Sequence, residues 1–459
     1  MGFSLAEVAE VTGGHLVGDP GLTCVRVSID SRRVEPGDLF FALRGERHDG
    51  HDFIPQAIAA GARAFVASRP VEVPAGVGAV FVPDTIAALG ALARHHRRRF
   101  RLPVVAVTGS TGKTTTKEMI AAIGAVRHRV VKNEGNFNNE IGLPLTILAL
   151  RPQDELLVVE MGMRGRGQIA ALAAIAEPEI GGVTNIGLTH LELLGSQEAI
   201  AEAKGELVAA LPGSGVAILN GDDARCAALA AKTGARVIRF GLGETAEVRA
   251  TALVEGPEGS EFLLRAPGGA GFPVRLNVPG RHQVQNALAA ATAALALGLT
   301  PEEIQAGLAD FGLARGRGGK VMAPGGWTVI DDTYNANPAS MDAALRVMAA
   351  RSIPGRRVAV LGDMLELGSA TEAAHREVGR LAAGAGLSLL LTFGEAAREI
   401  GHGAVEAGFP SAAVRHYTEK SVLLETLRSF LRPGDVVLVK GSRGMHMEEI
   451  VAGLLHKEG

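Results

Sequence analysis

The segment VTGSTGKTTT, residues 107–116, constrains the fold of this chain more than any other feature of its sequence. An apolar run typical of a buried strand precedes it, and the residues after it repeat with the period of a helix. A Gly-rich turn between a strand and a helix presents backbone N–H groups to phosphate oxygens. In such a loop Lys113 reaches the β- and γ-phosphates, and the Thr114 hydroxyl ligates Mg²⁺. The strict motif has glycine where this chain has Val107, so we predict a shorter variant of a nucleotide-binding loop, with an ordinary turn as the alternative.

The overall composition limits the class of protein. At roughly 150 residues per domain, the 459 residues suggest about three domains. Hydrophobic residues make up 47% and charged residues 21%, which excludes a chain that is disordered throughout. The net charge of −3 provides no basic field, and aromatic residues make up only 4%, so we expect no nucleic-acid partner. We interpret the one dense basic run, residues 94–100, as a solvated helix end.

The cysteines and the apolar stretches bear on the compartment. Cys24 and Cys226 lie far apart and form neither a disulfide framework nor a metal-binding pattern, which suits a reducing cytoplasm. The first residues are acidic and lack an apolar stretch, so no signal peptide is expected. The longest apolar stretch begins at Asn286 and is shorter than the ~20 residues that a membrane span needs. We therefore expect a cytoplasmic protein with no membrane insertion.

The chain divides by pattern into three predicted domains of an α/β fold. Residues 1–100 contain short strands and one or two helices. In residues 101–318 apolar runs alternate with helical patterns, which predicts a parallel sheet with helices on both faces. Short alternating strands at about 240–280 predict an antiparallel appendage. Residues 319–459 form a second α/β pattern, and GRGGKVMAPGG, residues 316–326, is interpreted as a linker before it.

Three ionisable residues of the central domain are candidates for a metal and γ-phosphate site. Glu160 ends an apolar run, His190 follows the next one, and Lys204 lies on the helix after that. Each residue by itself is more typical of a surface or capping position. Open α/β sheets, however, place their binding sites at the carboxyl ends of the strands. Their shared position at that edge predicts a joint site.

Other polar clusters also occur beside predicted strands and helices. Asn138 and Asn139 precede an apolar helix, where their amides suit a sugar or amide ligand or, equally, a turn and helix cap. Paired aspartates at residues 331–332 end a strand and suit a ribose hydroxyl or a cation, with capping as the alternative. Residues 440–443 follow another strand and suit a carboxylate or phosphate.

Together these strings resemble the Mur ligase family, the ATP-dependent amide-forming enzymes of peptidoglycan precursor synthesis. The resemblance covers nearly the whole chain, through DSRRVEPGDLFFALRGERHDGHDF, GSTGKTTTKE, GNFNNEIGLP, EMGMRGRGQI, TNIGLTHLELLGSQEAIAEAKGE, PGRHQVQNALAA, DDTYNANPASM, GDMLELG and VLVKGSRGM. DDTYNANP and GDMLELG point to the branch that adds D-alanyl-D-alanine to UDP-N-acetylmuramoyl-tripeptide. The resemblance implies a UDP-sugar-binding N-terminal domain, a central ATP-binding domain and a C-terminal Rossmann-like domain. We expect a monomer, although no residue pattern determines the oligomeric state.

The resemblance also implies roles for individual residues. The implied catalytic residues are Lys113, His190 and Lys204. The implied ligands of two Mg²⁺ ions are Thr114, Glu160, His190 and a carbamylated Lys204. The implied ATP-binding residues are Thr108, Gly109, Ser110, Thr111, Gly112, Lys113, Thr114, Thr115, Asn286, Arg317 and Asp332. Residues implied near the UDP-sugar are Ser31, Arg32, Asn138 and Asn139, and those implied near the dipeptide are Tyr334, Asn335, Lys440, Ser442 and Arg443.

The expected reaction is amide formation through an acyl phosphate, in the service of cell-wall synthesis and hence of cell shape and division. Three alternatives stay open at this point. They are a sibling ligase that adds a different amino acid, a folate-type polyglutamate ligase, and a regulator whose domains switch with ATP. The DDTYNANP string argues against the first, the extra domain at residues 1–100 against the second, and the full set of metal and phosphate candidates against the third.

Overall fold

The computed structural model of the protein describes residues 2–45, 47–313 and 315–456, which form three successive α/β domains. In the N-terminal domain, a sheet in the order β2-β7-β6-β5-β4 is parallel except for β2, and β1 pairs with β3 alone. The strands are β1 Phe3–Ser4, β2 His15–Val17, β3 Thr23–Cys24, β4 Val27–Ser28, β5 Leu39–Phe41, β6 Ala64–Ala67 and β7 Gly78–Phe81. The helices are α1 Leu5–Thr12, α2 Ile54–Ala59 and α3 Thr85–Arg97.

The central domain is built on one long sheet in the order β16-β15-β14-β13-β12-β11-β8-β10-β9. Its strands are β8 Val104–Thr108, β9 Val130–Lys132, β10 Leu156–Glu160, β11 Ile180–Val183, β12 Val216–Asn220, β13 Arg236–Gly241, β14 Val248–Glu255, β15 Ser260–Arg265 and β16 Phe272–Leu276. Its helices are α4 Lys113–Gly124, α5 Gly142–Leu148, α6 Gln168–Ala176, α7 Leu191–Leu194, α8 Gln197–Ala209, α9 Ala224–Ala228, α10 Arg281–Ala296 and α11 Pro301–Ala309.

The parallel middle of the central sheet, strands β8, β10, β11 and β12, is buried on both faces, as a parallel sheet requires. Strand β8 lies in its interior, and all five of its residues are buried. One face packs against α4, α10 and α11, and the other packs against α5, α6 and α8. The predicted antiparallel appendage is strands β14 to β16, which continue the same sheet because β14 also pairs in parallel with β13.

The C-terminal domain has a second buried sheet, in the order β17-β18-β22-β19-β20-β21. Its strands are β17 Gly319–Met322, β18 Thr328–Asp332, β19 Arg357–Gly362, β20 Leu389–Phe393, β21 Val414–Tyr417 and β22 Val436–Lys440. Its helices are α12 Pro338–Ala350, α13 Thr371–Ala383, α14 Arg398–Glu406, α15 Lys420–Phe430 and α16 Glu448–Leu455. Apolar clusters cover both faces of this sheet, and only β17 runs antiparallel to its neighbour.

Two interpretations of the sequence need correction. The stretch 316–326 is not a plain linker, because its middle forms β17 and pairs with β18 along the edge of the C-terminal sheet. The basic run 94–100 does end helix α3, but it is not simply solvated. Arg97 is 6% exposed and donates to the carbonyl oxygens of Ala176, Phe100 and Leu102. The run therefore helps to attach the N-terminal domain to the central one.

No helix in the described residues is both long and apolar enough to cross a membrane.

Candidate active site

The loop between β8 and α4 has a backbone that only glycine accommodates at two positions. Gly109 has φ +146° and Gly112 has φ +78°, both in the left-handed region. A Cβ atom on Gly112 would lie 2.2 Å from Oδ1 of Asn286, and one on Gly109 would lie 1.8 Å from Oγ1 of Thr184. The side chain of Thr108, at the end of β8, donates to the Met161 carbonyl. The loop therefore fits closely between three neighbouring segments.

Two residues that follow β11 hold this loop in shape, and sequence reasoning assigned them no role. Asn185 accepts the backbone N–H of Thr111 on Oδ1 at 3.0 Å, and its carbonyl accepts the N–H of Ser110 at 3.0 Å. The Thr184 hydroxyl donates to the Thr111 carbonyl at 2.5 Å. The signal in the sequence was a Thr-Asn pair directly after a buried strand. The loop is thus shaped by protein contacts.

The first turn of α4 carries the residues expected to meet phosphate and metal. Lys113 Nζ donates to the Gly109 carbonyl at 2.9 Å; burial lowers the pKa of this lysine, Glu160 raises it and Arg317 lowers it. The Thr114 hydroxyl donates to Glu160 Oε2 at 2.6 Å, and Thr115 is buried beside it. A hydroxyl and a carboxylate at this loop are the oxygen ligands that Mg²⁺ takes together with phosphate. These residues therefore fit the expected ion.

Glu160 is buried and firmly held. Its second carboxylate oxygen accepts from Asn138 Nδ2 at 2.7 Å. Asn133, which sequence reasoning missed, binds both backbone groups of Glu160: its Oδ1 accepts the N–H at 2.9 Å and its Nδ2 donates to the carbonyl at 3.0 Å. The buried Lys117 donates in turn to the Asn133 carbonyl. This chain of bonds fixes the Glu160 carboxylate at the loop.

Lys204, on α8, is the least satisfied ionisable residue of the region. It is 2% exposed, and within the described residues its ammonium has neither a hydrogen bond nor an ion pair. Burial lowers the pKa of Lys204 well below its ordinary value, and the charge of Lys113 lowers it further. The acids that flank it in sequence point elsewhere: Glu202 pairs with Arg166, and Glu206 accepts backbone N–H groups at the start of α6.

His190 lies at the boundary between the central and C-terminal domains. Its Nδ1 is 2.5 Å from Oε2 of Glu366. Burial lowers the pKa of His190; Glu366 raises it, and the charges of Lys113 and Lys204 lower it. Across the described residues, no three His, Cys, Asp or Glu side chains lie close enough to hold a metal by themselves.

The predicted nucleotide-binding residues beyond the loop come from α10 and the C-terminal domain. Arg317 donates to the Thr114 hydroxyl at 2.7 Å, and its guanidinium lies 3.7 Å from the centre of the Tyr334 ring. Asn286 is buried next to Gly112 and donates to Gln283 Oε1 at 3.0 Å. Arg317 and Thr114, which are 203 positions apart in the sequence, are thus joined by a hydrogen bond.

The remaining C-terminal candidates make separate polar contacts. Lys440 is buried and donates to Asp332 Oδ2 at 2.7 Å and to the Asn335 carbonyl at 2.9 Å. Ser442 donates to the Ala336 carbonyl and accepts the Leu365 N–H. Arg443 is exposed and pairs with Glu448 at 3.0 Å.

The candidates for the UDP-sugar fall into two separate places. The Ser31 hydroxyl donates to Gln56 Oε1 at 3.0 Å, and the exposed Arg32 pairs with Asp30 at 2.8 Å, both within the N-terminal domain. Neither side chain bonds to the loop residues in the part of the chain that is described. Asn138 faces Glu160, whereas Asn139 accepts the Gly142 N–H at 2.9 Å, at the start of α5.

A nucleotide-binding loop on a three-domain α/β framework, with a buried lysine beside it, is the arrangement of an ATP-dependent enzyme. Family models match in all three domains. The Mur ligase family catalytic domain matches residues 24–97, the Mur ligase middle domain matches residues 107–294, and the Mur ligase glutamate ligase domain matches residues 316–443. The chain belongs to the Mur ligase family.

Individual relatives match over nearly their whole length. The UDP-N-acetylmuramoyl-tripeptide--D-alanyl-D-alanine ligase of Escherichia coli is 38% identical over 99% of this chain and 98% of its own. Among solved structures, MurF from Acinetobacter baumannii superposes with a TM-score of 0.91 at 34% identity, covering 100% of this chain and 99% of that one. MurF from Thermotoga maritima, in complex with ADP, superposes with a TM-score of 0.82 at 30% identity, covering 94% and 96%.

Proposed function

We propose that this chain is an ATP-dependent ligase that joins D-alanyl-D-alanine to the peptide carboxylate of UDP-N-acetylmuramoyl-tripeptide. The products are UDP-N-acetylmuramoyl-pentapeptide, ADP and phosphate, and the pentapeptide serves peptidoglycan synthesis. One observation carries the proposal: Lys113, Thr114, Glu160 and the buried Lys204 gather at a preformed phosphate loop in a chain that matches such ligases over 99% of its length.

The chemistry explains why ATP is needed. A carboxylate is a poor electrophile, and its oxygen is a poor leaving group. Transfer of the γ-phosphoryl group to that oxygen forms an acyl phosphate and releases ADP. The dipeptide amine then attacks the acyl carbon to form a tetrahedral intermediate, which expels phosphate and leaves the new amide. Exclusion of water matters here, because water would hydrolyse the acyl phosphate.

Residues of this chain supply the positive charge and the binding groups that hold ATP for transfer of the γ-phosphoryl group. Backbone N–H groups of residues 112–115, at the start of α4, and the Lys113 ammonium bind the phosphates and oppose the repulsion between two anions. Thr114 and Glu160 would hold one Mg²⁺, and His190 with a modified Lys204 would hold a second. Bound there, Mg²⁺ would neutralise phosphate charge and stabilise the transferring group.

Carbamylation would explain why Lys204 is buried although its ammonium has no partner among the described residues. The neutral amine attacks CO₂, so that an N–C bond forms while one C–O π pair moves onto oxygen, and one N–H proton leaves to solvent. This step converts a neutral amine into an anion. The buried position beside Lys113 supports this assignment, because a carbamate there gains a favourable charge neighbour. The oxygens of the carbamate are ligands that Mg²⁺ accepts.

The other roles complete the proposal. Asn286, Arg317 and Asp332 contact the adenine nucleotide, and Ser31 and Arg32 contact the UDP group. The muramoyl group lies near Asn138 and Asn139, and the dipeptide near Tyr334, Asn335, Lys440, Ser442 and Arg443. We assign residues 1–100 to UDP-sugar binding, residues 101–318 to ATP binding, and residues 319–459 to the closing Rossmann-like domain of a cytoplasmic monomer.

The test is phosphate release and product mass with ATP, Mg²⁺ and UDP-N-acetylmuramoyl-tripeptide, with and without D-alanyl-D-alanine. We expect release that requires the dipeptide and that single amino acids do not replace. Tripeptides that end in lysine or diaminopimelate then show the preference at the third position. Release with a single amino acid would reassign the chain to a sibling, and ATP binding without release for any muramoyl nucleotide would favour a regulator.

A further inference from the structure

The loop GDMLELG, residues 362–368, links the C-terminal domain to the central site through one carboxylate. We propose that Glu366 is a positioning residue, which holds the His190 imidazole in the orientation and tautomer that leave Nε2 free for a metal ion. The inference rests on the proposed function, because it assigns the second metal site to His190. The C-terminal domain would then contribute one residue, Glu366, to a metal site whose ligands lie in the central domain.

The side-chain geometry carries the first step. Glu366 Oε2 lies 2.5 Å from His190 Nδ1, so the carboxylate accepts a proton that this nitrogen carries. A neutral imidazole with its proton on Nδ1 has its lone pair on Nε2. Histidines that bind metals almost always donate their other N–H to such an acceptor, which fixes the ring.

The backbone of this loop packs closely against the backbone of the central domain. The Glu192 N–H donates to the Glu366 carbonyl at 3.2 Å. His190 and Glu366 have φ values of +56° and +63°, which non-glycine residues adopt rarely and often at functional sites. A Cβ atom on Gly368 would lie 3.3 Å from Cα of Glu192. The two segments therefore face each other at close range.

Charged residues lie on both sides of the pair formed by His190 and Glu366. Arg164 lies 4.0 Å from Oε1, the oxygen of Glu366 that does not face the histidine. On the other side, the charges of Lys113 and Lys204 act on the imidazole, which links it to the phosphate loop. Because Glu366 belongs to the C-terminal domain and His190 to the central domain, the histidine is held in this way only where the two domains meet. Phosphoryl transfer would thus be restricted to the closed, water-excluding state.

The first test compares Glu366→Ala and Glu366→Gln with a matched control, Glu258→Ala. Glu258 joins the same two domains through Lys320 and Arg351 but is remote from His190 in sequence and in its contacts. Glu366→Ala should raise the Mg²⁺ concentration for half-maximal rate by about 10- to 100-fold. Glu366→Gln should raise the required Mg²⁺ concentration less than Glu366→Ala does, because its amide oxygen still accepts a hydrogen bond from Nδ1–H. Glu258→Ala should leave the Mg²⁺ requirement unchanged.

The second test reads the histidine directly and does not require activity. In ¹⁵N-histidine spectra of the metal-free protein, the His190 signals are assigned by their loss in His190→Gln. We expect the Nδ1–H tautomer in the wild type and a tautomer mixture in Glu366→Ala, with thermal unfolding confirming that both are folded. An Nε2–H tautomer in the wild type, or no change in Glu366→Ala, would overturn the inference. If the wild type shows the expected tautomer but no ligase activity, the proposed function fails instead.

Discussion

Replacement of Lys204 by methionine should stabilise the protein while abolishing ligase activity. Methionine keeps an unbranched apolar stem of similar length, so the packing of α8 is preserved, but it removes a buried ammonium that has no partner among the described residues. Each unit by which burial depresses a pKa costs about 1.4 kcal/mol of folding free energy. Replacing buried charges by apolar residues often stabilises proteins. We therefore expect Lys204→Met to raise the free energy of unfolding by about 1–3 kcal/mol.

The sign of the effect depends on pH and on carbon dioxide. Because the pKa of Lys204 is lowered by folding, the unfolded chain binds the proton more strongly. The destabilisation by Lys204 is therefore largest below its folded pKa and disappears as the pH approaches the ordinary lysine value. Bicarbonate should stabilise the wild type through the carbamate and leave Lys204→Met unaffected.

The assay is urea unfolding at neutral pH in buffer freed of CO₂, repeated with bicarbonate, alongside the ligase assay. Lys232→Met is the matched control. Because Lys232 is exposed, its substitution should change the free energy of unfolding by less than about 0.5 kcal/mol. Loss of a metal ligand should reduce turnover by more than about 100-fold. A Lys204→Met protein that is less stable than the wild type in CO₂-free buffer would refute the reasoning, because it would mean that the ammonium has a compensating partner.

Other substitutions test the remaining parts of the site. Lys113→Ala should reduce product formation by more than about 10³-fold through loss of phosphate stabilisation, and near-normal amide formation measured by mass would remove the phosphate assignment. Lys204→Ala should be inactive and partly rescued by added short-chain carboxylates; full activity without them would contradict the carbamate. Asn133→Ala should lower the free energy of unfolding by about 1–3 kcal/mol and raise the Mg²⁺ requirement, because Glu160 loses both backbone bonds to that side chain. Burial lowers the pKa of His282 from 6.5 to about 4, so the unfolded state gains a proton first and stability falls as the pH drops from about 6.5 to 4. His282→Gln should remove up to about 3 kcal/mol of this acid-induced loss of stability, measured as the urea unfolding midpoint against pH. A pH dependence equal to that of the wild type would contradict the link between His282 and acid stability.

Local features of the chain were predictable from the sequence. The turn at residues 109–112, the strand before it and the helix from Lys113 follow from glycine spacing and apolar periodicity, and the structure has them in those places. The antiparallel strands after residue 240 followed in the same way. The edge strand Gly319–Met322 was missed because its polar, Gly-rich residues carry no strand signal, and its pairing with β18 decides its conformation.

Packing also gives two adjacent and chemically identical residues different contacts. Asn138 donates to Glu160, whereas Asn139 accepts the N–H of Gly142 at the start of α5. The supporting residues Asn133, Asn185 and Glu366 had no local signal strong enough to mark them.

By itself the sequence determined the nucleotide loop, the alternation of strands and helices, and, through its motifs, the family. These properties reside in short windows, where backbone preference and apolar period act between neighbouring residues. Only the tertiary structure decided which distant groups meet: Thr114 with Glu160, Arg317 with Thr114, and His190 with Glu366, which lie 46, 203 and 176 positions apart. Such meetings depend on strand order, on register and on how one domain rests against the next. The chemistry of the site arises from that long-range packing, because a carboxylate or an amine acts on whatever lies within a few ångströms of it.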